Sequence, residues 1–309
     1  MSTLLLTHPA CLDHQVPLAH PERPDRLRAI DRILEHERFH ALERESAPLG
    51  SMEDLLRVHS PTYLDRIRSM IPTEGLSRID EETSVSAGSW EAALRACGAA
   101  CLAVDEVLEN KVTNAFCAVR PPGHHAEREK AMGFCLFNNT AIAARYAQSK
   151  FDLKRVAIVD FDVHHGNGIQ DIFWTDPTVM YCSSHQGDFY PGTGSAPETG
   201  VANTIVNAPL PAGSDGKVFR EAYETLILPR LRDFQPELVI LAAGFDAHVR
   251  DPVGELALTE ADFGWVTRKL MDVAGDSCDG RLISVLEGGY DLEALARSVA
   301  AHVMTLMTG

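Results

Sequence analysis

The sequence predicts an α/β protein, a mainly parallel sheet covered by helices on both faces. Two observations carry this. Short apolar, β-branched runs such as Val156-Ala-Ile-Val159 and Leu238-Val-Ile-Leu-Ala242 alternate with segments whose apolar residues recur at helical spacing. No internal repeat, low-complexity tract or long linker divides the 309 residues, so residues 1–309 read as one domain, a length that can bury a large core.

In chain order, Leu4–Leu6 reads as the first strand, and Pro24–Phe39 as a helix with Leu27, Ile30, Ile33 and Leu34 on one face. Pro61–Met70 and the Ala-rich Trp90–Leu108 are further helices, and the polar Pro72–Ser89 between them reads as a surface loop. Strand and helix then alternate: Ala115–Val119 strand, Asn139–Ala147 helix, Val156–Asp160 strand, Ile169–Trp174 helix, Val179–Cys182 strand. A Gly/Pro-rich loop, Phe189–Ala202, leads to strand Thr204–Asn207, helix Val218–Phe234 and strand Leu238–Ala242. Helix Thr259–Ala274, strand Leu282–Leu286 and helix Leu292–Met307 close the chain.

Composition narrows the function. A formal net charge of −16 argues against a nucleic-acid or anionic-membrane partner and mildly favours cationic ligands. No apolar run reaches membrane-span length, and the N-terminal apolar run is too short, and lacks the basic flank, for a signal peptide. Seven cysteines without a Cys-x-x-Cys pair point to reduced thiols and a cytoplasmic setting.

Four strands end in unusual polar sequence: Arg120-Pro-Pro-Gly-His-His-Ala126, Asp160-Phe-Asp-Val-His-His-Gly-Asn-Gly168, Ala243-Gly-Phe-Asp-Ala-His248 and Glu287-Gly-Gly-Tyr290. In a parallel sheet these ends share the edge where α/β proteins bind ligands. Asp162 and His164 are two residues apart, so extended backbone points both to one side. Carboxylate oxygen with imidazole nitrogen suits Zn²⁺ or a similar divalent metal, with Asp246 as third ligand. Three protein ligands leave an open position, as catalysis needs, where metal-activated water becomes acidic. His124 and His125 offer a base and an acid, and Tyr290 a hydroxyl for a developing oxyanion. Taken singly, each motif has a plainer explanation: Asp and Asn as helix caps, paired histidines as packing elements, Gly-Gly-Tyr as a turn. Their convergence favours the metal site.

These four motifs, with Gly133-Phe-Cys-Leu-Phe-Asn-Asn139 and Pro191-Gly-Thr-Gly194, resemble the signature series of the zinc-dependent histone deacetylase superfamily, closest to its class II and bacterial amidohydrolase members. His20-Pro-Glu-Arg-Pro24 and His59-Ser-Pro-Thr-Tyr63 extend the resemblance nearly end to end. It implies the arginase–deacetylase fold with an eight-stranded parallel sheet, Zn²⁺ on Asp162, His164 and Asp246, and deacylation by metal-activated water. His125 takes the place of the general base and acid and His124 that of its electrostatic partner. Asp160 matches the carboxylate behind His124 and also a K⁺ ligand, with Ser183 and the backbone of Asp162 and His164. Tyr290 matches the transition-state tyrosine. Phe134 and Tyr190 match the aromatic walls of an acyl-lysine tunnel, with Gly133 beside it and Cys135 close by. There are two departures. Asn167 stands where class I members carry a carboxylate behind the second histidine, so His125 should stay neutral to lower pH; class II-like members also carry Asn. Tyr190 replaces the usual Phe, putting a hydroxyl in the tunnel wall.

The expected substrate is an acylated amine, with an acetyl-lysine-like group favoured. Val253 is apolar where polyamine-specific eukaryotic members carry an acidic gatekeeper, and Pro72–Ser89 is too short for the insertion of bacterial polyamine enzymes. An acetylpolyamine or other small amide is the alternative. Glu82 is expected either at the rim, holding a substrate amide, or simply in solvent. An arginase-type ureohydrolase would need two metals and more carboxylates, and a non-catalytic acyl-lysine reader would not need the full set of ligands with Tyr290. Oligomeric state is not legible.

Overall fold

The computed structural model describes residues 2–309. Ten strands and ten helices follow one another: β1 (Thr3–Thr7), α1 (Asp25–Leu34), β2 (Glu43–Ser46), α2 (Met52–Leu56), α3 (Pro61–Met70), β3 (Leu76–Arg78), β4 (Ser84–Ser86), α4 (Ser89–Leu108) and β5 (Asn114–Cys117). Then come α5 (Asn139–Phe151), β6 (Val156–Asp160), α6 (Asn167–Phe173), β7 (Val179–Gln186), β8 (Ile205–Leu210), α7 (Gly216–Ala222), α8 (Leu228–Phe234), β9 (Leu238–Ala243), α9 (Glu260–Cys278), β10 (Leu282–Leu286) and α10 (Leu292–Thr308).

Eight strands form one sheet in the order β2-β1-β5-β10-β9-β6-β7-β8, and every pair in it is parallel. The fold is therefore a single α/β domain with an eight-stranded parallel sheet flanked by helices. Strands β5, β6, β9 and β10 are buried along their whole length, which is why their sequences are continuous apolar runs rather than alternating ones. Helix α4 lies against β5, β10 and β1 and beside α5; α1, α10 and α9 pack in a row, with α9 against β9. The alanines of α4 (Ala92, Ala93, Ala96, Ala99, Ala100, Ala103) are all buried, so this long helix sits close on the sheet.

The chain order places the site. After β5 the chain leaves a gap and builds β6, β7 and β8 outward; it then returns to lay β9 and β10 between β6 and β5. The four strands whose ends carry the polar motifs are thus consecutive neighbours, β5-β10-β9-β6. Their C-terminal ends flank the point where the winding direction changes, which is where open parallel sheets form ligand crevices.

Three local features depart from the sequence reading. Glu-Arg-Glu-Ser of β2 is exposed at all four residues and has no apolar pattern; it joins the sheet through backbone pairing with β1, as a charged edge strand. Pro72–Ser89, expected as loop, contains the antiparallel pair β3–β4, whose three-residue strands are too short and polar to announce themselves. The helix expected over Val218–Phe234 is interrupted by a π turn at Tyr223–Ile227. Pro229 follows one residue later, and it has no N–H for the α-helical ladder, so the widened turn accommodates it.

Candidate metal centre and active site

Asp162 and His164 leave the end of β6, and Asp246 follows β9. Their ligand atoms lie within 4.8 Å of one another and all three residues are buried. His164 Nδ1 is 3.0 Å from Asp162 Oδ1 and 3.3 Å from Asp246 Oδ2. Backbone N–H groups orient the two acids: Gly288 donates to Asp162 Oδ2 at 2.8 Å and Val163 to Asp246 Oδ1 at 2.8 Å. Asp246 Oδ2, although buried, accepts no hydrogen bond. One imidazole nitrogen, with at most one proton, faces two anionic oxygens. The cluster holds more lone pairs than donors, which is what a divalent cation with O,O,N ligation satisfies. The same shortage acts on His164: burial would depress it, but Asp162 and Asp246 outweigh that and raise the ring to about 10. Burial and repulsion from Asp162 raise Asp246 to about 6.

Gly288 is required by space rather than by flexibility. A Cβ there would sit 2.0 Å from Asp246 Oδ2 and 2.6 Å from Asp162 Oδ2, so the two acids can converge only over a glycine.

The His-His pair arrives from β5. His124 Nδ1 donates to Asp160 Oδ2 at 2.9 Å, and His125 Nδ1 to Asn167 Oδ1 at 2.8 Å. Their environments set them apart. Burial disfavours the charged form of both rings, but for His124 the Asp162 and Asp160 carboxylates outweigh it and hold the ring well above the usual range. His125 has only an amide behind it; burial first, then the positive charge of His124 and His164, pushes it well below. Asp160 also accepts from Tyr181 Oη at 3.1 Å and from the backbone of Asp162 at 3.1 Å. Ser183 sits beside Asp160 in the β6–β7 register, its Oγ 2.8 Å from His185 Nδ1.

Tyr290 ends the turn after β10. Its backbone N–H donates to Asp251 Oδ2 at 2.7 Å, and Arg26 lies 5.0 Å from its ring centroid. Burial, with Asp246 nearby, raises the phenol well above its ordinary range, so it stays a hydrogen-bond donor. Next to it is a narrow cavity of about 120 Å³. Gly133, Phe134, Tyr190, Val253 and Glu82 all border this cavity, together with His125, His164 and Tyr290. A Cβ on Gly133 would meet His125 Cδ2 at 2.4 Å, so this glycine lets the wall close against the imidazole. Phe134 itself holds φ 68°, a left-handed conformation unusual for a bulky residue. Glu82 lies in the β3–β4 connection, where Asp80 Oδ1 accepts from its N–H at 2.9 Å and His20 Nε2 is 3.1 Å from its carbonyl oxygen. A larger open groove of about 670 Å³ borders the outside of the Asp188–Ala196 loop and holds none of the three candidate ligands.

Several residues here escaped the sequence reading. Phe189 borders the cavity and stacks on His164 with ring centroids 5.5 Å apart. Glu287 Oε2 accepts from the backbone of Gly123 (2.7 Å) and His124 (3.0 Å), and so fastens the His-His loop to the end of β10. Glu22, fully buried, binds Arg26 Nη1 at 3.1 Å and Arg120 Nη2 at 2.8 Å, while Arg26 Nε donates to the carbonyl of Gly289 at 2.6 Å. This ties the N-terminal His20–Pro24 segment to the Gly-Gly-Tyr turn. Buried charges without visible partners in sequence are the signal that was available.

Comparison with known proteins gives the family. The histone deacetylase domain family matches residues 20–306. "Histone deacetylase 10, chloroplastic" of Oryza sativa subsp. japonica is 41% identical over 91% of this chain and 68% of its own length. "Histone deacetylase-like amidohydrolase" of Pseudomonas aeruginosa is 38% identical over 88% of this chain and 72% of its own. Among solved structures, the crystal structure of the HDA15 HD domain superposes with a TM-score of 0.94 at 37% identity, covering 99% of this chain and 88% of that one. With the family's domain spanning nearly all of the sequence and its fold superposing on the whole sheet and its helices, the chain belongs to the histone deacetylase family.

Proposed function

We propose that the chain is a zinc-dependent amidohydrolase that removes an acyl group, acetyl by preference, from an acetyl-lysine-like amine. The observation that supports this most strongly is the convergence of Asp162, His164 and Asp246 around a buried carboxylate oxygen without a hydrogen-bond partner. Zn²⁺ held by these three residues would polarise the amide carbonyl and make a water acidic near neutral pH. The remaining work falls to the chain. His125 borders the cavity with its Nδ1 committed to Asn167, which leaves Nε2 to accept the water's proton and then donate it to the departing amine. His124, held by Asp160, adds positive charge beside it. Tyr290 donates a hydrogen bond from its phenol O–H to the developing oxyanion. Asp160 and Ser183, with the backbone carbonyls of Asp162 and His164, are the proposed seat of a structural K⁺.

The cavity, about 120 Å³, suits a linear acylated alkyl chain between Phe134 and Tyr190. The apolar Val253 at its edge favours an acetyl-lysine-like group. Glu82 at the same edge favours the second reading, an acetylpolyamine whose free ammonium would meet that carboxylate. Zinc-loaded protein assayed on an acetyl-lysine peptide, acetylputrescine and a simple anilide separates them. The peptide is expected to be cut best. Preference for acetylputrescine would move the substrate to polyamines, and tight peptide binding without turnover would make the chain an acyl-lysine reader. No cleavage of any of the three would refute the substrate assignment.

A further inference from the structure

We propose that Glu127 is a positioning residue that selects the working tautomer of His125 through Asn167. This rests on the hydrolytic reading of the site only for its kinetic consequence. An Asn amide is nearly symmetric in shape, and can face an imidazole with either its oxygen or its NH₂. If the oxygen faces the ring, His125 must carry its proton on Nδ1, which leaves Nε2 with a lone pair toward the cavity. If the NH₂ faces the ring, Nδ1 must accept, the proton moves to Nε2, and the base is blocked. Nothing in the His125–Asn167 pair alone decides between these.

Glu127 decides it. Asn167 Nδ2 donates to Glu127 Oε1 at 2.8 Å, and an ionised carboxylate can only accept. The NH₂ is therefore held on the Glu127 side and Oδ1 on the His125 side, at 2.8 Å from Nδ1. The other Nδ2 neighbours, Met132 Sδ at 3.3 Å and the His125 carbonyl at 3.5 Å, are also acceptors and favour the same orientation. Glu127 itself is set by a turn in which its own N–H donates to the Lys130 carbonyl at 2.9 Å, two residues after the His-His pair. The three-residue line Glu127–Asn167–His125 fixes the tautomer as a carboxylate directly behind the ring would, without placing its charge against the ring.

The test is a double-mutant cycle in zinc-loaded protein, with Glu127→Gln, Asn167→Asp and both together. A glutamine side chain brings its own NH₂ and no longer forbids the flipped amide, so Glu127→Gln should lower kcat about tenfold with KM held within about twofold. Asn167→Asp alone sets two carboxylates against each other and should also lower kcat. In the double variant the NH₂ of the introduced glutamine donates to the introduced aspartate, whose other oxygen accepts from His125, so activity should exceed that of either single variant. A role limited to stabilising the loop predicts the opposite, with the double variant weakest. As a readout independent of turnover, ¹⁵N NMR of the imidazoles should show His125 as the Nδ1–H tautomer in the wild type and a mixture in Glu127→Gln. Wild-type kcat and an unchanged tautomer in Glu127→Gln, or losses that merely add, would overturn the proposal. If the wild type cleaves no amide, it is the hydrolytic reading that fails, and the NMR arm still decides the role of Glu127.

Discussion

Asp162 and Asp246 approach each other because Gly288 offers no Cβ at the point where their oxygens meet. A methyl group at this position would place carbon 2.0 Å from Asp246 Oδ2. Gly288→Ala is expected to leave the fold intact, since the turn is local, and to weaken zinc binding by at least about tenfold, as measured by competition with a chelating dye. Unchanged affinity would mean that the two acids do not share an ion. Tyr290 borders the cavity and is proposed to act on the substrate rather than to hold the ion. Tyr290→Phe should therefore keep one zinc per chain and lose about 10²-fold or more in kcat, the cost of removing one oxyanion donor. Near-full activity in that variant would remove the phenol from the mechanism. At this scale the cluster of Asp162, His164 and Asp246, and Tyr290 beside it, were readable because each stands in a short motif at a strand end. Glu127, Asp251 and Glu287 were not, because their meaning lies in partners far along the chain.

The elements that carry the site are held to one another by polar groups at their ends. Asp251, in the turn after Asp246, accepts from the backbone N–H of Tyr290 (2.7 Å), Asp291 (3.3 Å) and Val253 (3.0 Å), so one carboxylate joins the β9 and β10 connections. Burial, with Asp246 close by, raises it to about 7. Asp251→Ala would strand these donors, costing about 1–3 kcal/mol of stability, and would let Tyr290 drift, lowering kcat more than KM. Thermal unfolding and steady-state kinetics on the same sample check both; the expected loss of stability with kcat unchanged would make Asp251 structural only. The strands themselves, β6, β9 and β10, were evident from their apolar runs. The edge strand β2 was not, since charged side chains on an exposed edge carry no pattern, and the π turn before Pro229 was hidden inside a convincing helical period.

Over the whole molecule, the parallel sheet and the strand ends it gathers could be read from the alternation of elements, but not the order of the strands. That β9 and β10 return to fill the gap between β6 and β5 depends on packing between segments far apart in the chain. The interior also carries buried neutral histidines. His302 sits between Phe116, Phe161 and Phe245, with Thr267 Oγ1 at 2.6 Å from Nδ1 and Ser284 Oγ at 2.9 Å from Nε2. Burial lowers it from 6.5 to about 3. Because the folded value is depressed, the unfolded chain binds the proton first as pH falls. The stability that neutral His302 allows is present above pH 6.5 and is lost progressively toward pH 3, on the order of 5 kcal/mol over that window. His302→Gln should flatten this slope, so that denaturant unfolding at about pH 7 and about pH 4.5 gives a smaller difference than in the wild type. Equal slopes would show that His302 does not couple folding to protonation.

The central claim is that one divalent ion, shared by Asp162, His164 and Asp246, makes this family member a hydrolase of N-acyl amines. Titrating zinc into chelator-stripped protein while following cleavage of an acetyl-lysine peptide tests it most directly. Activity should start from near zero, rise in proportion to added zinc and level off at one ion per chain. It should stay absent in Asp246→Asn at the same zinc concentration. Undiminished cleavage by the stripped protein, or a plateau reached only at two ions per chain, would contradict the account.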